Sequence, residues 1–284
     1  MTILITGATG QLGRLVIDSL LERGAEPQSI AAGARDTAKA SDLAARGIRV
    51  VELDYDVPAT VQAAVEGADS VLLISSSAVG QRVAQHQAVI DAAKQAGVAK
   101  LVYTSAPKAT TSDLVLAPEH KATEELIAAS GIPSVILRNN WYTENYADTF
   151  TQATGSGVLA ASVGEGRVAS ASRRDFADAA AAVLLEDGHT GAVYELGGDV
   201  AWNFDDLAAA MAEVSGRPVA YQALSAEEHA AALSDAGLDA GTVGFVTALD
   251  AGIRGGALAD TDGTLSRLIG RPTTPLVEGL RSIA

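Results

Sequence analysis

The stretch Gly7-Ala8-Thr9-Gly10-Gln11-Leu12-Gly13 constrains this chain more than any other. It follows an apolar run at residues 3–6. It opens a segment in which Leu12, Leu15, Val16 and Leu20 share one helical face, with Gly24 as a stop. A strand that turns into a helix through glycines at this spacing has the geometry of a phosphate-binding βα turn. One glycine makes the turn, one lets backbone N–H groups approach a pyrophosphate, and one allows close helix–strand packing. The helix N-terminus adds partial positive charge. Gly7, Ala8, Thr9, Gly10, Gln11 and Leu12 are therefore candidate dinucleotide-binding residues. An ordinary glycine-rich turn is the plain alternative.

The alternation continues through the first half of the chain. Apolar runs at 30–34, 50–53, 71–75, 101–104 and 135–137 are separated by helical patterns at 38–45, 58–65, 83–96 and 118–130. Strands separated by helices need parallel crossovers, so the expectation is an α/β fold, a Rossmann-type doubly wound parallel sheet. After about residue 150 the pattern loosens. Residues 154–157 and 164–166 read as loops, 174–185 as an Ala-rich helix, and 193–196 and 219–222 as strands. The expected division is a dinucleotide-binding domain over 1–150, to whose sheet later strands return, and a smaller C-terminal α/β lobe over 151–284.

Composition narrows the chemistry. The 284 residues include no cysteine, which excludes thiolate catalysis, zinc–thiolate sites and cysteine-ligated iron–sulfur clusters. Redox work would have to come from a bound cofactor. A formal net charge of −15 has the wrong sign for a nucleic-acid backbone. No apolar run approaches the ~18 residues that span a bilayer. The opening residues lack a basic region of the signal-peptide kind, so a cytoplasmic setting is expected.

Arg35 ends the second apolar run, about twenty residues past the glycines, where an NAD-preferring fold carries Asp or Glu for the ribose 2′-OH. Arg35 suits a 2′-phosphate instead, with Lys39 as a second cation, which points to NADPH. Asp36 reads as an N-cap. Asp54, after the third run, reads as an adenine contact or as a turn cap. Ser75 and Ser76 close the fourth run, where ligands lie in an open α/β sheet and where a plain polar loop looks the same.

The usual acid for interconverting alcohols and ketones is missing. The residues four after Tyr55, Tyr103, Tyr142, Tyr146, Tyr194 and Tyr221 are Ala59, Pro107, Tyr146, Phe150, Gly198 and Ser225, so no tyrosine–lysine pair exists. A positioned acid contributes about 10²- to 10⁴-fold, and its absence argues for an easier hydride acceptor such as a quinone or dye cation. Four scattered histidines give no metal-ligand spacing. No Gly-x-Ser-x-Gly elbow is present.

With these residues in hand, further segments carry a resemblance: Leu73 to Ser77, Tyr103 to Ser105, Glu119 to Glu124, Arg138 to Asn145, Trp202 to Phe204 and Leu268 to Thr274. The chain resembles the type 2 NAD(P)H:quinone oxidoreductases of the NmrA-like, atypical short-chain dehydrogenase group, close to the triphenylmethane dye reductases. The resemblance covers essentially the whole chain, and the Arg-Asn-x-Trp-Tyr-x-Glu-Asn stretch is its most specific part.

The resemblance implies that Gly7 to Leu12 hold the pyrophosphate, Arg35 the 2′-phosphate, and Ile74 to Ser76 the nicotinamide side. Asn139 to Thr143, hence Asn139, Asn140 and Thr143, would line the nicotinamide and acceptor pocket, with Arg173 closing it. Trp141 and Tyr142 read as apolar walls or as core at a helix start, and Asn140 as an amide donor. His120 falls where aromatic-substrate reductases of the wider group carry a functional lysine, so it is a candidate for orienting the acceptor or the nicotinamide ribose and, with Asn140, for stabilising charge on the acceptor oxygen, or it is merely solvated. The implied activity is two-electron quinone reduction by NADPH without flavin. A dye reductase and a non-enzymatic NADP(H) sensor are the alternatives, and self-association is left open.

Overall fold

The structure is a computed structural model that describes residues 1–284. In chain order its strands are β1 (Ile3–Ile5), β2 (Ile30–Ala34), β3 (Arg49–Glu52), β4 (Ser70–Leu73), β5 (Lys100–Ser105), β6 (Ser134–Asn139), β7 (Val158–Ala161), β8 (Val193–Leu196) and β9 (Ala220–Ala223). The helices are α1 (Gln11–Glu22), α2 (Ser41–Ala45), α3 (Pro58–Val65), α4 (Arg82–Ala96), α5 (Ala117–Ser130), α6 (Ala147–Ser156), α7 (Arg173–Leu185), α8 (Phe204–Ser215), α9 (Ala226–Asp235), α10 (Ala240–Arg254), α11 (Thr264–Ile269) and α12 (Leu276–Arg281).

Contacts divide the chain into two units that are discontinuous in sequence. The first comprises 1–109, 118–139 and 173–195, and the second 110–117, 140–172 and 196–284. The helix and strand at 173–195 thus belong with the N-terminal sheet, because α7 packs on α1, β5 and β6.

The first unit is built on a seven-stranded sheet in the order β3-β2-β1-β4-β5-β6-β8. All pairs from β3 through β6 are parallel. Strand β8 runs in the same sense, since the Gly191 amide donates to Ser134 and the Ile136 amide to Ala192. This is the doubly wound order expected from the alternation. Its strands are apolar runs rather than alternating ones, because helices cover both faces. Every residue of β1, β2 and β4 is buried. Strand order reverses between β1 and β4, which opens a crevice beyond their C-terminal ends.

Ion pairs hold the far side of that edge. The Arg138 guanidinium on β6 donates to Glu124 at 2.6 Å and to Glu195 at 2.8 Å, and the Ser105 hydroxyl donates to Glu124. The C-terminal ends of β5, β6 and β8 are thereby tied to α5.

The second unit contains a two-stranded parallel sheet, β7 with β9, and the remaining helices. Here the structure departs from the sequence expectation. Residues 154–156 are the last turn of α6, not a loop, and the stop comes at Gly157 with φ +80°. Gly155 faces open space and Phe150 and Ala153 are buried, so one packed face holds the helix despite the glycine. The pattern read as one helix at 38–45 is likewise a 3₁₀ turn, Thr37–Ala40, followed by the short α2.

Phe176 is fully buried in α7, a helix whose other buried positions are mostly alanine. Phe176→Ala should therefore cost about 3–5 kcal/mol in urea unfolding, since small neighbours cannot fill the void.

Candidate functional site

The glycine turn lies beyond β1 and opens α1, as the sequence leads one to expect. Gly7 has φ +58°, and Gly10 is the N-cap of α1. A Cβ on Gly13 would come within 2.8 Å of the Ala8 Cα and nearer still to the Gly7 carbonyl oxygen. No side chain fits there. The Ala8 amide donates to Gly33 and the Gly10 amide to Gly7, which fixes the curl of the turn. Ala8 and Leu12 are buried and Gln11 is exposed. With the Ala8 amide spent on Gly33, Leu12 offers a ligand its backbone amide rather than its side chain.

The turn forms one wall of a cavity of about 360 Å³. Gly7, Thr9, Gly10, Arg35, Asp54, Ile74, Ser75 and Ser76 all line it. Arg35 is exposed and makes no ion pair in the structure. Asp36 accepts from the Ala38 amide as an N-cap, so its carboxylate is committed to backbone. Lys39 stands apart from the lining, three-quarters exposed, with its ammonium 4.0 Å from Asp36. Arg14, which sequence reasoning passed over, braces this turn by donating to Asp42 and to the Lys39 carbonyl. Asp54 accepts from the Asp56 amide at 3.1 Å, so it is a turn cap that also faces the cavity.

The loop after β4 is held by buried side chains that the sequence did not announce. The Ser76 amide donates to His86 Nε2 at 3.0 Å, and Arg82 Nε donates to the Ser76 carbonyl at 2.6 Å. His86 must therefore carry its proton on Nδ1, 3.0 Å from Thr123 Oγ1. Arg82 also reaches Glu119 and His120 Nε2, each at 3.3 Å. His120 Nδ1 lies 2.7 Å from Tyr103 Oη, and the Tyr103 ring meets His86 edge-on at a centroid distance of 5.4 Å. Guanidinium is only a donor, so His120 accepts through Nε2 and donates through Nδ1.

The sequence offered His120 as a group that orients the acceptor or the nicotinamide ribose, or as a merely solvated histidine. The structure places it as a buried link with both nitrogens engaged. Burial, and secondarily the Arg82 charge, push His86 and His120 down to about 3. Tyr55 completes the wall, with its hydroxyl 2.7 Å from Thr6 Oγ1 and burial pushing it up to about 12. Gln85 donates to Asp56 at 3.0 Å, joining α4 to the turn after β3. The signal for Tyr55 was its position just past a strand; nothing local marked Arg82, Gln85 or His86.

Asn139 ends β6, buried, and Arg173 begins α7 in the same unit. In the second unit, Asn140 is buried, accepting from the Trp141 amide at 2.7 Å and donating through Nδ2 to the Leu258 carbonyl at 3.1 Å. One Nδ2 hydrogen remains. The Thr143 amide donates to Ala171, and its hydroxyl lies 2.9 Å from Ser170 Oγ. Tyr142 and Trp141 are half-buried, and Trp141 lines a separate apolar cavity of about 560 Å³.

The sheet order and the glycine turn define a dinucleotide-binding protein, and residues 7–187 match the NAD(P)H-binding family model. The chain is 49% identical over 278 residues to quinone oxidoreductase 2 of Escherichia coli (strain K12), covering 98% of this chain and 97% of the relative. It belongs to the NAD(P)H-binding family, in the branch that holds that protein. A crystal structure of an NADPH-dependent quinone oxidoreductase from Escherichia coli in complex with NADPH superposes with a TM-score of 0.95 over 99% of both chains, at 49% identity. Triphenylmethane reductase of Citrobacter sp., complexed with NADP(H), does so with a TM-score of 0.93 over all of both chains, at 38% identity.

The neutral buried histidines make a test of the first unit. Unfolded, each takes up a proton near pH 6.5; folded, neither does until about pH 3. Their contribution to stability is whole above pH 6.5 and declines as the pH falls toward 3, because the unfolded chain binds more protons. Denaturant unfolding should lose roughly 1–2 kcal/mol per histidine between pH 6.5 and pH 5. His120→Gln should flatten that slope, and an unchanged slope would contradict the assignment.

Proposed function

We propose that this chain reduces quinones by two electrons with NADPH, by direct hydride transfer and without flavin. Near full-length likeness to quinone oxidoreductase 2, with the glycine cradle intact, carries this reading. The fit to the cofactor rests on the cradle itself: Gly13 lets α1 start against the Gly7 carbonyl, where a Cβ would collide with backbone, so the helix N-terminus stands beside the cavity. When bound, NADPH supplies the hydride.

The residues divide the remaining work. The amides of the Gly7 to Leu12 turn that are not spent on Gly33 and Gly7, with the α1 N-terminus, would hold the pyrophosphate. Arg35 takes the 2′-phosphate, with Lys39 contributing from the solvent side, and Asp54 accepts from the adenine edge. Ile74, Ser75 and Ser76 meet the nicotinamide end through a loop whose backbone is clamped by His86 and Arg82. Asn139, Thr143 and Arg173 serve the cofactor as well. Trp141 and Tyr142 wall the acceptor, and the remaining Nδ2 hydrogen of Asn140, which also serves the cofactor, meets an acceptor oxygen. His120 acts as a positioning residue through Arg82. Held in contact, the reactants gain about 7–11 kcal/mol from position alone, so no side-chain acid on the scale of a tyrosine–lysine pair is required.

NADPH absorbance with menadione as acceptor tests the activity; binding of NADPH without consumption on a panel of small quinones would overturn it. Likeness to triphenylmethane reductase favours a second reading, dye reduction, which the same assay with malachite green addresses. Arg35→Ala should raise KM for NADPH roughly 10- to 100-fold, the worth of a charged hydrogen-bonding contact, while KM for NADH changes little. An unaltered preference between the two cofactors would remove Arg35 from the site.

A further inference from the structure

The 560 Å³ cavity of the second unit lies among α6, α9 and α10, and nothing described so far uses most of its wall. Its surface is largely apolar, with Trp141, Phe204 and Phe245 supplying aromatic faces and Leu233 and Leu249 aliphatic ones. Asn145, Asp148, Thr149, Gln152 and Ser156 add polar groups at exposed or half-buried positions of that wall, and two further polar groups in it are buried.

The first is a buried pair, His229 and Asp250. Asp250 Oδ2 accepts from the Ser162 amide at 2.7 Å and from the Ser162 hydroxyl at 2.9 Å, and lies 2.8 Å from His229 Nδ1. A carboxylate oxygen is acceptor-only, so the ring nitrogen facing it is the donor. In its neutral form His229 therefore carries its proton on Nδ1 and presents Nε2 as an acceptor, with a carboxylate fixing the tautomer. The second is Tyr146, which lines the same cavity with its side chain buried and its hydroxyl without a hydrogen-bond partner. A buried hydroxyl left unpaired is uncommon in folded proteins and invites an explanation.

We propose that this cavity is a binding site for a flat aromatic alcohol, a phenol, naphthol or hydroquinone. Its ring packs among the aromatic and aliphatic walls, and its hydroxyl donates to His229 Nε2. A purely hydrocarbon ligand would leave His229 Nε2 unanswered, and an anion would face the Asp250 carboxylate. The volume is in the range of small-molecule sites and exceeds what a single aromatic ring fills. This site is a matter of binding, and it stands whether or not the chain reduces quinones.

Calorimetric titration of the full chain with 1-naphthol and with 1-methoxynaphthalene tests it. The ether keeps the rings and removes the donated hydrogen. Wild type should bind 1-naphthol about tenfold more tightly than the ether, the worth of one good hydrogen bond. His229→Phe should abolish that preference. Leu233→Trp, which fills the cavity and leaves the His229–Asp250 pair intact, should weaken both probes about tenfold or more while NADPH binding is unchanged. Failure of wild type to bind either probe, a preference that survives His229→Phe, or unweakened binding in Leu233→Trp would each overturn the proposal. Loss of the quinone activity alone would leave these titrations untouched, so the two readings fail separately.

Discussion

The closest approach in the first unit, between the start of α1 and the turn after β1, sets what everything around it can be. With no Cβ at Gly13, the helix begins directly against the Gly7 carbonyl, and its unpaired amides are delivered to the point where strand order reverses. Adding one methyl group would push helix and strand apart and move those amides away from a bound phosphate. Around this turn the Ala8 amide pairs with Gly33, Arg35 just past β2 lines the cavity, and the loop after β4 brings Ser75 and Ser76 to it.

Charge is arranged locally against the balance of the whole. The chain carries a formal net charge of −15, which repels an anionic dinucleotide at long range. Around the turn after β2 the acids are already spoken for. Asp36 is bound to backbone and Asp42 to Arg14, whose hydrogen bond holds the Asp42 carboxyl below the ordinary range. Arg35 is thus a cation that makes no ion pair, which is what its proposed discrimination between a phosphate and a hydroxyl requires.

The parallel sheet, the glycine turn and the placing of Arg35, Ser75 and Ser76 at strand ends were legible in the sequence, because strand periodicity and glycine spacing are local signals. The Asp36 cap was legible for the same reason. What escaped depends on contacts across the fold. Arg82, His86, Tyr103 and His120 come from two helices and a strand, and beyond the four-residue step from Arg82 to His86 on α4 no spacing in the chain joins them. His120 looked like a chemical group because it was read alone; its meaning changed once both nitrogens had partners. Gly155 misled in the other direction, since a glycine that signals a loop locally can be carried inside a helix whose opposite face is packed.

The clamp behind the Ser76 loop has a consequence of an evolutionary kind. Arg82, His86, Tyr103 and His120 each meet at least two others among themselves and the Ser76 backbone, so replacing one strands a buried donor or acceptor on its neighbours. Such a set behaves as one inherited character. Single changes pass through a costly intermediate, and only coordinated replacement reaches a different but equally satisfied arrangement.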